Sequence, residues 1–123
     1  MADLPGLRPT PDRVRETLFN WLGQDLSGWR CVDAFAGSGA LGFEAASRGA
    51  ADVLMVDREP LLVGALNGVR TQLGASTVRV QRGDGVAVLA ALPPGSVDLV
   101  LLDPPFDSDV FDQALRAAAR AVV

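Results

Sequence analysis

Short apolar runs of strand length alternate along this chain with longer stretches whose apolar residues recur at helical spacing. "RCVDAFAG", running to a stop at Gly37, "DVLMVD", ending at Asp57, "TVRVQ" and "VDLVLLD" are the four strand candidates. The last is near-continuously apolar, as a sheet strand covered on both faces should be. Residues 39–48 read as a helix closed by Gly49. From Pro60 a second helix carries Leu62, Leu66, Val69 and Leu73 along one stripe and stops at Gly74, where glycine tolerates the turn that ends helices. "GVAVLAAL" predicts a short third helix, and the residues from Val110 onward a last one. Ahead of the first strand, Thr10 is suited to cap, Pro11 to the first helical position and Asp12 to the positive end of the dipole. Val14, Leu18, Trp21 and Leu22 then share one face.

Strands alternating with helices imply right-handed crossovers, hence an α/β fold with a doubly wound, mainly parallel sheet. At 123 residues the chain reads as one domain, able to bury roughly two-thirds of its unfolded surface. The single cysteine, Cys31, lies in an apolar run and the N-terminus has no signal-like segment, which predicts a reducing, cytoplasmic setting. No apolar stretch approaches the roughly 20 residues that span a bilayer, and no residue pattern suggests a metal. The net charge of −4 argues against nonspecific polyanion binding, which draws its affinity from many phosphate contacts. Locally the balance differs, because all eleven basic residues are arginine and Arg8, Arg13 and Arg15 cluster near the start. Either these offer forked contacts to phosphates or bases, or arginine is simply a compositional habit.

In doubly wound sheets ligands bind beyond the carboxyl ends of the strands. Asp33 lies near the end of the first strand, Asp57 closes the second, Asp84 follows the third by three residues and Asp103 closes the fourth. Four carboxylates are thereby directed to one rim. "GSGALG", Gly37 to Gly42, fits G-x-G-x-x-G between a strand and a helix, with an acidic residue, Asp57, about 20 positions on. Taken alone, that pattern says dinucleotide. Asp33 counts against a pyrophosphate there, since it would face two phosphate charges, whereas beside an ammonium or a sulfonium it is attractive. S-adenosylmethionine offers that cation, and its carboxylate can use the helix N-terminus. Plainer readings stand alongside. The glycines could serve a tight turn and close helix packing, Asp57 could be a solvated strand end rather than an acceptor for ribose hydroxyls, and Asp84 could cap a helix with or without an adenine-amino contact.

"DLVLLDPPF" runs a buried strand into Asp103, Pro104, Pro105 and Phe106. Proline has no amide hydrogen and fixes its own φ, so the pair ends the ladder in a rigid turn. The amino group of a nucleobase is a poor nucleophile because its lone pair is delocalised into the ring. Two acceptors side by side, the Asp103 carboxylate and the Pro104 carbonyl, would take both amino hydrogens and align the nitrogen for methyl transfer. Phe106 would stack on the base. The plainer alternative is a rigid turn with Phe106 in the core.

"GLRPTPDRVRETLFNWL", "DAFAGSGALGFEAASRGA" and "LLDPPF" together resemble the bacterial small-subunit (16S) ribosomal RNA guanine-N2 methyltransferases. The resemblance implies the Rossmann-like class I methyltransferase fold, with the four strands here in the order 3-2-1-4, and S-adenosylmethionine as cofactor. It implies cofactor contacts at Asp33, Phe35, Ala36, Gly37, Ser38 and Gly39, a ribose contact at Asp57 with Arg58 beside it, and an adenine-edge contact at Asp84. Asp103 to Phe106 would be the catalytic tetrapeptide. Residues 1–23 would flank the active-site mouth, with Thr10 near the cofactor, Arg8, Arg13 and Arg15 toward RNA, and Glu16 among them; a capped helix packed on the sheet is the other reading of this segment. The partner implied is small-subunit ribosomal RNA or the assembled 30S particle.

Relative to that family the chain looks truncated at both ends, lacking a basic hairpin region before "GLRPT" and three further strands after the fourth. The open edge of the fourth strand is then a surface that could pair with another chain. Three other functions are consistent with parts of the pattern. A shortened chain could bind the cofactor without chemistry, "DPPF" also serves adenine amino-methylation of DNA or RNA, and "GSGALG" also serves nicotinamide oxidoreductases.

Overall fold

The structure, a computed structural model, describes residues 25–102 and 108–123. The expected N-terminal helix with Arg8, Thr10, Arg13 and Arg15, and the tetrapeptide Asp103 to Phe106, lie outside the described residues. In chain order the elements are β1 (Arg30–Asp33), α1 (Ala40–Ser47), β2 (Asp52–Asp57), α2 (Pro60–Leu73), β3 (Val78–Arg82), α3 (Gly85–Ala91), β4 (Leu99–Leu101) and α4 (Ser108–Ala121). The strands pair in parallel in the order β3-β2-β1-β4, the order expected of the class I fold.

Alternation along β1 and β2 divides their side chains between two apolar layers. Cys31, Val53 and Met55 pack with Val78 beneath α1 and α2, where Ala45 and Leu66 close the layer. Val32, Ala34, Leu54 and Val56 pack on the other face with Leu89 of α3 and with Ala114, Ala118 and Ala121 of α4. Central β2 is accordingly buried at four consecutive positions, Val53 to Val56. Each fully buried side chain such as Leu66 or Leu89 contributes about 1.5–3 kcal/mol over leaving it exposed. Cys31 is 1 % exposed, and burial, helped by the negative charge of Asp98 and Asp52, pushes its thiol up to about 11. It is a core residue that stays protonated at neutral pH.

Several details differ from the expectation. β1 ends at Asp33 rather than Gly37, because the chain leaves the ladder where Ala36 N–H bonds across to the Val56 carbonyl (2.9 Å) and Gly39 N–H back to Ala36 (2.8 Å). β3 runs on to Arg82, leaving Asp84 two residues beyond it rather than three. β4 is short and half-buried at Leu99 and Val100, as an edge strand is. Just before it, Val97 bonds instead to the end of the chain, donating to Ala121 and accepting from Val123. Leu73 fails to join its stripe and is 64 % exposed. The 14 residues of α2 extend about 21 Å, whereas the five of β3 extend about 17 Å, so the last helical turn outruns the strand beside it.

Two exposed ion pairs sit toward the amino ends of the strands, Arg30–Asp98 at 3.1 Å and Arg79–Asp52 at 2.7 Å. Hydrogen bonds from the Arg30 guanidinium and amide hold the Asp98 carboxyl below its usual range. Among the described residues no helix is long and apolar enough to cross a membrane.

Candidate functional site

Parallel strands deliver their carboxyl ends to one rim, and the register decides which residues meet there. Asp33 ends β1 opposite Met55 of β2 and Leu101 of β4, while Asp57 ends β2 opposite Arg82 of β3. The chain between Asp33 and α1 is the glycine loop. Gly37 and Gly39 adopt φ of +55° and +84°, the left-handed region in which a side chain is strained, and this turns the backbone sharply from strand into helix. Gly42 has a different task. A Cβ there would stand 2.5 Å from Met55 Cε and 3.2 Å from Asp33 Oδ2, so its absence lets α1 lie directly on the sheet over Asp33. That carboxylate is consequently 2 % exposed. Phe35 packs toward the α3 and α4 layer and Ala36 is buried, while Ser38 is half-buried.

Asp57 binds the loop to the neighbouring strand. Its Oδ2 accepts from Gly37 N–H at 2.9 Å and its Oδ1 from Glu59 N–H at 2.9 Å. Glu59 in turn caps α2 by accepting from Leu61 N–H at 3.3 Å, with Pro60 at the first helical position. The third strand end is tied in by Gly83 N–H, which donates to the Asp57 backbone carbonyl at 2.9 Å. Asp84 caps α3, its Oδ1 accepting from Val86 N–H at 3.3 Å. Capping and ligand contact are compatible here, because Asp84 is exposed and a carboxylate holds about four acceptor sites. Arg58 and Arg82 are also exposed at this edge.

The charge distribution distinguishes the two ends of the sheet. At the amino ends Asp52 and Asp98 are paired with arginine, whereas among the described residues neither Asp57 nor Asp84 makes an ion pair. Acceptor capacity is therefore concentrated at the carboxyl rim, next to a glycine-lined turn where backbone approaches closely. Asp57 and Asp84 offer acceptor oxygens at this rim, while Asp33 lies buried behind the loop. Among the described residues no group of His, Cys, Asp or Glu is placed to hold a metal ion.

Of the residues singled out in the sequence, Asp33, Phe35, Ala36, Gly37, Ser38, Gly39, Asp57 and Asp84 are gathered at this rim, with Arg58 exposed beside Asp57. Sequence reasoning passed over Glu59 and Gly85. The Glu-Pro step was a usable signal for the first, since proline favours the first helical position and leaves its predecessor to cap. Gly85 is a poor residue for a helix start and was readable only as that.

A family model described as conserved hypothetical protein 95 matches residues 1–122. The chain is 41 % identical over 116 residues to the ribosomal RNA small subunit methyltransferase D of Escherichia coli strain K12, covering 94 % of this chain and 58 % of that protein. It thus spans little more than half the length of that curated relative. A solved Escherichia coli structure described as "Putative methyltransferase yhhF" superposes with a TM-score of 0.81 at 36 % identity, covering 89 % of this chain and 61 % of the other. A Trypanosoma brucei PRMT1 enzyme-prozyme complex with AdoHcy superposes at 0.61 and 26 % identity, over 75 % of this chain and 28 % of that one.

Proposed function

We infer the activity from membership: the chain belongs to the conserved hypothetical protein 95 family, and we propose that it binds S-adenosylmethionine at the carboxyl rim and methylates small-subunit ribosomal RNA. The finer reading is transfer to the exocyclic N2 amine of a guanine. The observation that carries the cofactor half is the bond from Gly37 N–H to Asp57 Oδ2. It joins the glycine loop to the strand-end carboxylate 20 positions later, which brings two sequence-distant pieces together at the carboxyl rim.

When bound, S-adenosylmethionine supplies an electrophilic methyl group on a sulfonium. The chain's own residues orient and exclude. Asp57 keeps lone pairs for the ribose hydroxyls while it holds the loop, Asp84 accepts from the adenine amino group, and Asp33 lies buried beneath the loop. The sequence supplies the catalytic half. Asp103 and the Pro104 carbonyl accept both hydrogens of the target amine, Pro105 stiffens the turn, and Phe106 stacks on the base. No strong base is needed, since the amine can lose its proton after transfer. Alignment of this kind can be worth about 7 kcal/mol or more.

Calorimetry with S-adenosylmethionine and S-adenosylhomocysteine tests the cofactor site; folded protein that binds neither would refute it. A tritiated-methyl assay offering DNA, naked RNA and small subunits lacking the modification tests the substrate, with label expected in the small-subunit RNA. Label in DNA would reassign the substrate to adenine, and binding without transfer to any of the three would leave a cofactor-binding module. Asp103→Ala is expected to abolish transfer and spare cofactor affinity. Unchanged turnover would remove Asp103 from the mechanism.

A further inference from the structure

Gly85 is buried at the first position of α3, directly after Asp84. Glycine weakens a helix relative to alanine, so a buried helical glycine calls for a steric reason. A Cβ on Gly85 would stand 2.2 Å from the carbonyl oxygen of Ala34, 3.0 Å from its carbonyl carbon and 3.3 Å from its Cβ. Ala34 follows Asp33 and begins the turn into the glycine loop, and its N–H is held by the Leu101 carbonyl at 3.3 Å. The obstruction is backbone at the first residue past β1, which cannot rotate aside as a side chain would. Gly83, two residues earlier, is unlike it, because a Cβ there meets only side-chain atoms at ordinary contact distances, Val88 Cγ2 at 3.6 Å and Gln81 Nε2 at 3.9 Å.

We propose that Gly85 is a positioning residue for the ligand site: by letting the start of α3 rest on the Ala34 carbonyl, it sets the gap between the Asp84 carboxylate and the turn after β1, and so the slot that receives the adenine ring. The far end of α3 is pinned, since Leu89 is fully buried and Arg120 Nη2 donates to the Ala90 and Leu92 carbonyls at 2.5 Å each. A push at Gly85 is therefore absorbed at Asp84 rather than by sliding the helix along its axis. The inference rests on the reading of Asp84 as the adenine-amino acceptor.

The test compares two ligands by calorimetry on the full chain: S-adenosylhomocysteine, and S-inosylhomocysteine, in which a carbonyl replaces the adenine amino group. Wild type is expected to prefer the adenine ligand by about tenfold, the worth of one hydrogen bond to a charged acceptor. Gly85→Ala should lose most of that preference, with the adenine ligand weakened about tenfold and the inosine ligand much less, whereas Gly83→Ala should keep the wild-type ratio. A general loss of stability weakens both ligands alike and leaves the ratio unmoved. The proposal is overturned by an unmoved ratio in folded Gly85→Ala, by an equal loss in Gly83→Ala, or by a Gly85→Ala chain that does not fold, which would assign the glycine to the fold alone. Wild type that binds neither ligand, or both equally, refutes the underlying reading of the site instead, before any variant is compared.

Discussion

Asp57 holds two backbone amides, Gly37 N–H and Glu59 N–H, each at 2.9 Å, and removing its carboxylate should loosen the glycine loop and weaken cofactor binding together. A hydrogen bond to a charged acceptor is worth about 1.5–3 kcal/mol, and the lower end applies because Asp57 is only half-buried. Asp57→Asn retains one acceptor oxygen but turns an NH2 group toward the second amide, forfeiting one such bond. That is about 1.5 kcal/mol, or roughly a tenfold rise in dissociation constant. Asp57→Ala forfeits both amide bonds, about 3 kcal/mol and roughly 150-fold, with any loss of ribose contact added to that. Calorimetric titration of S-adenosylhomocysteine into each variant, paired with amide hydrogen exchange at Gly37, measures both consequences. The reasoning fails if Asp57→Ala binds within twofold of wild type, or if affinity falls in both variants while protection at Gly37 is unchanged. The second outcome would restrict Asp57 to ribose contact.

Gly42→Ala forces a methyl group to 2.5 Å from the flexible end of Met55; overpacking of this kind costs about 1–3 kcal/mol, read as a lower urea midpoint, and an unchanged midpoint would mean that α1 does not rest on Met55. Cys31 should resist thiol reagents at pH 8 in folded protein and react at once in denaturant. Because its folded pKa is raised to about 11, the stability tied to its neutral form is complete below the unfolded value and lost as pH rises toward 11; a Cys31→Ala chain with the same alkaline melting profile would contradict this. Asp98 shifts the opposite way. Its lowered pKa contributes stability present above the ordinary carboxylate range and lost as pH falls through the folded value, so Asp98→Asn should flatten the acid limb of the melting-temperature profile.

Periodicity and punctuation were sufficient for the element order of the described residues, the parallel sheet and the rim that gathers Asp33, Asp57 and Asp84, because these depend on local signals: the period of apolar residues, Pro60 at a helix start, Gly49 and Gly74 at helix ends. The resemblance supplied strand order, which the structure bears out. Both bounds of β2 and of α2 coincide with their apolar patterns. Where the pattern misled, an interaction distant in sequence had decided: β1 stops at Asp33 because Ala36 bonds to Val56, and Leu73 is exposed because the strand beneath it is shorter than the helix.

The candidate site divides in the same way. Sequence by itself determined which chemistry is present: a glycine loop after a strand, acidic residues at strand ends, and a strand running into Asp103 and two prolines. Only the tertiary structure decided what each residue does in place. Gly42 is a packing surface for Asp33 and Met55, Asp57 is the clasp of a loop 20 residues earlier, and Gly85 lies against the carbonyl of Ala34, 51 positions before it in the chain. Periodicity reports which face a residue turns toward, whereas a close approach between two backbones depends on the register of β1 with β2 and of β2 with β3. No local pattern encodes that register.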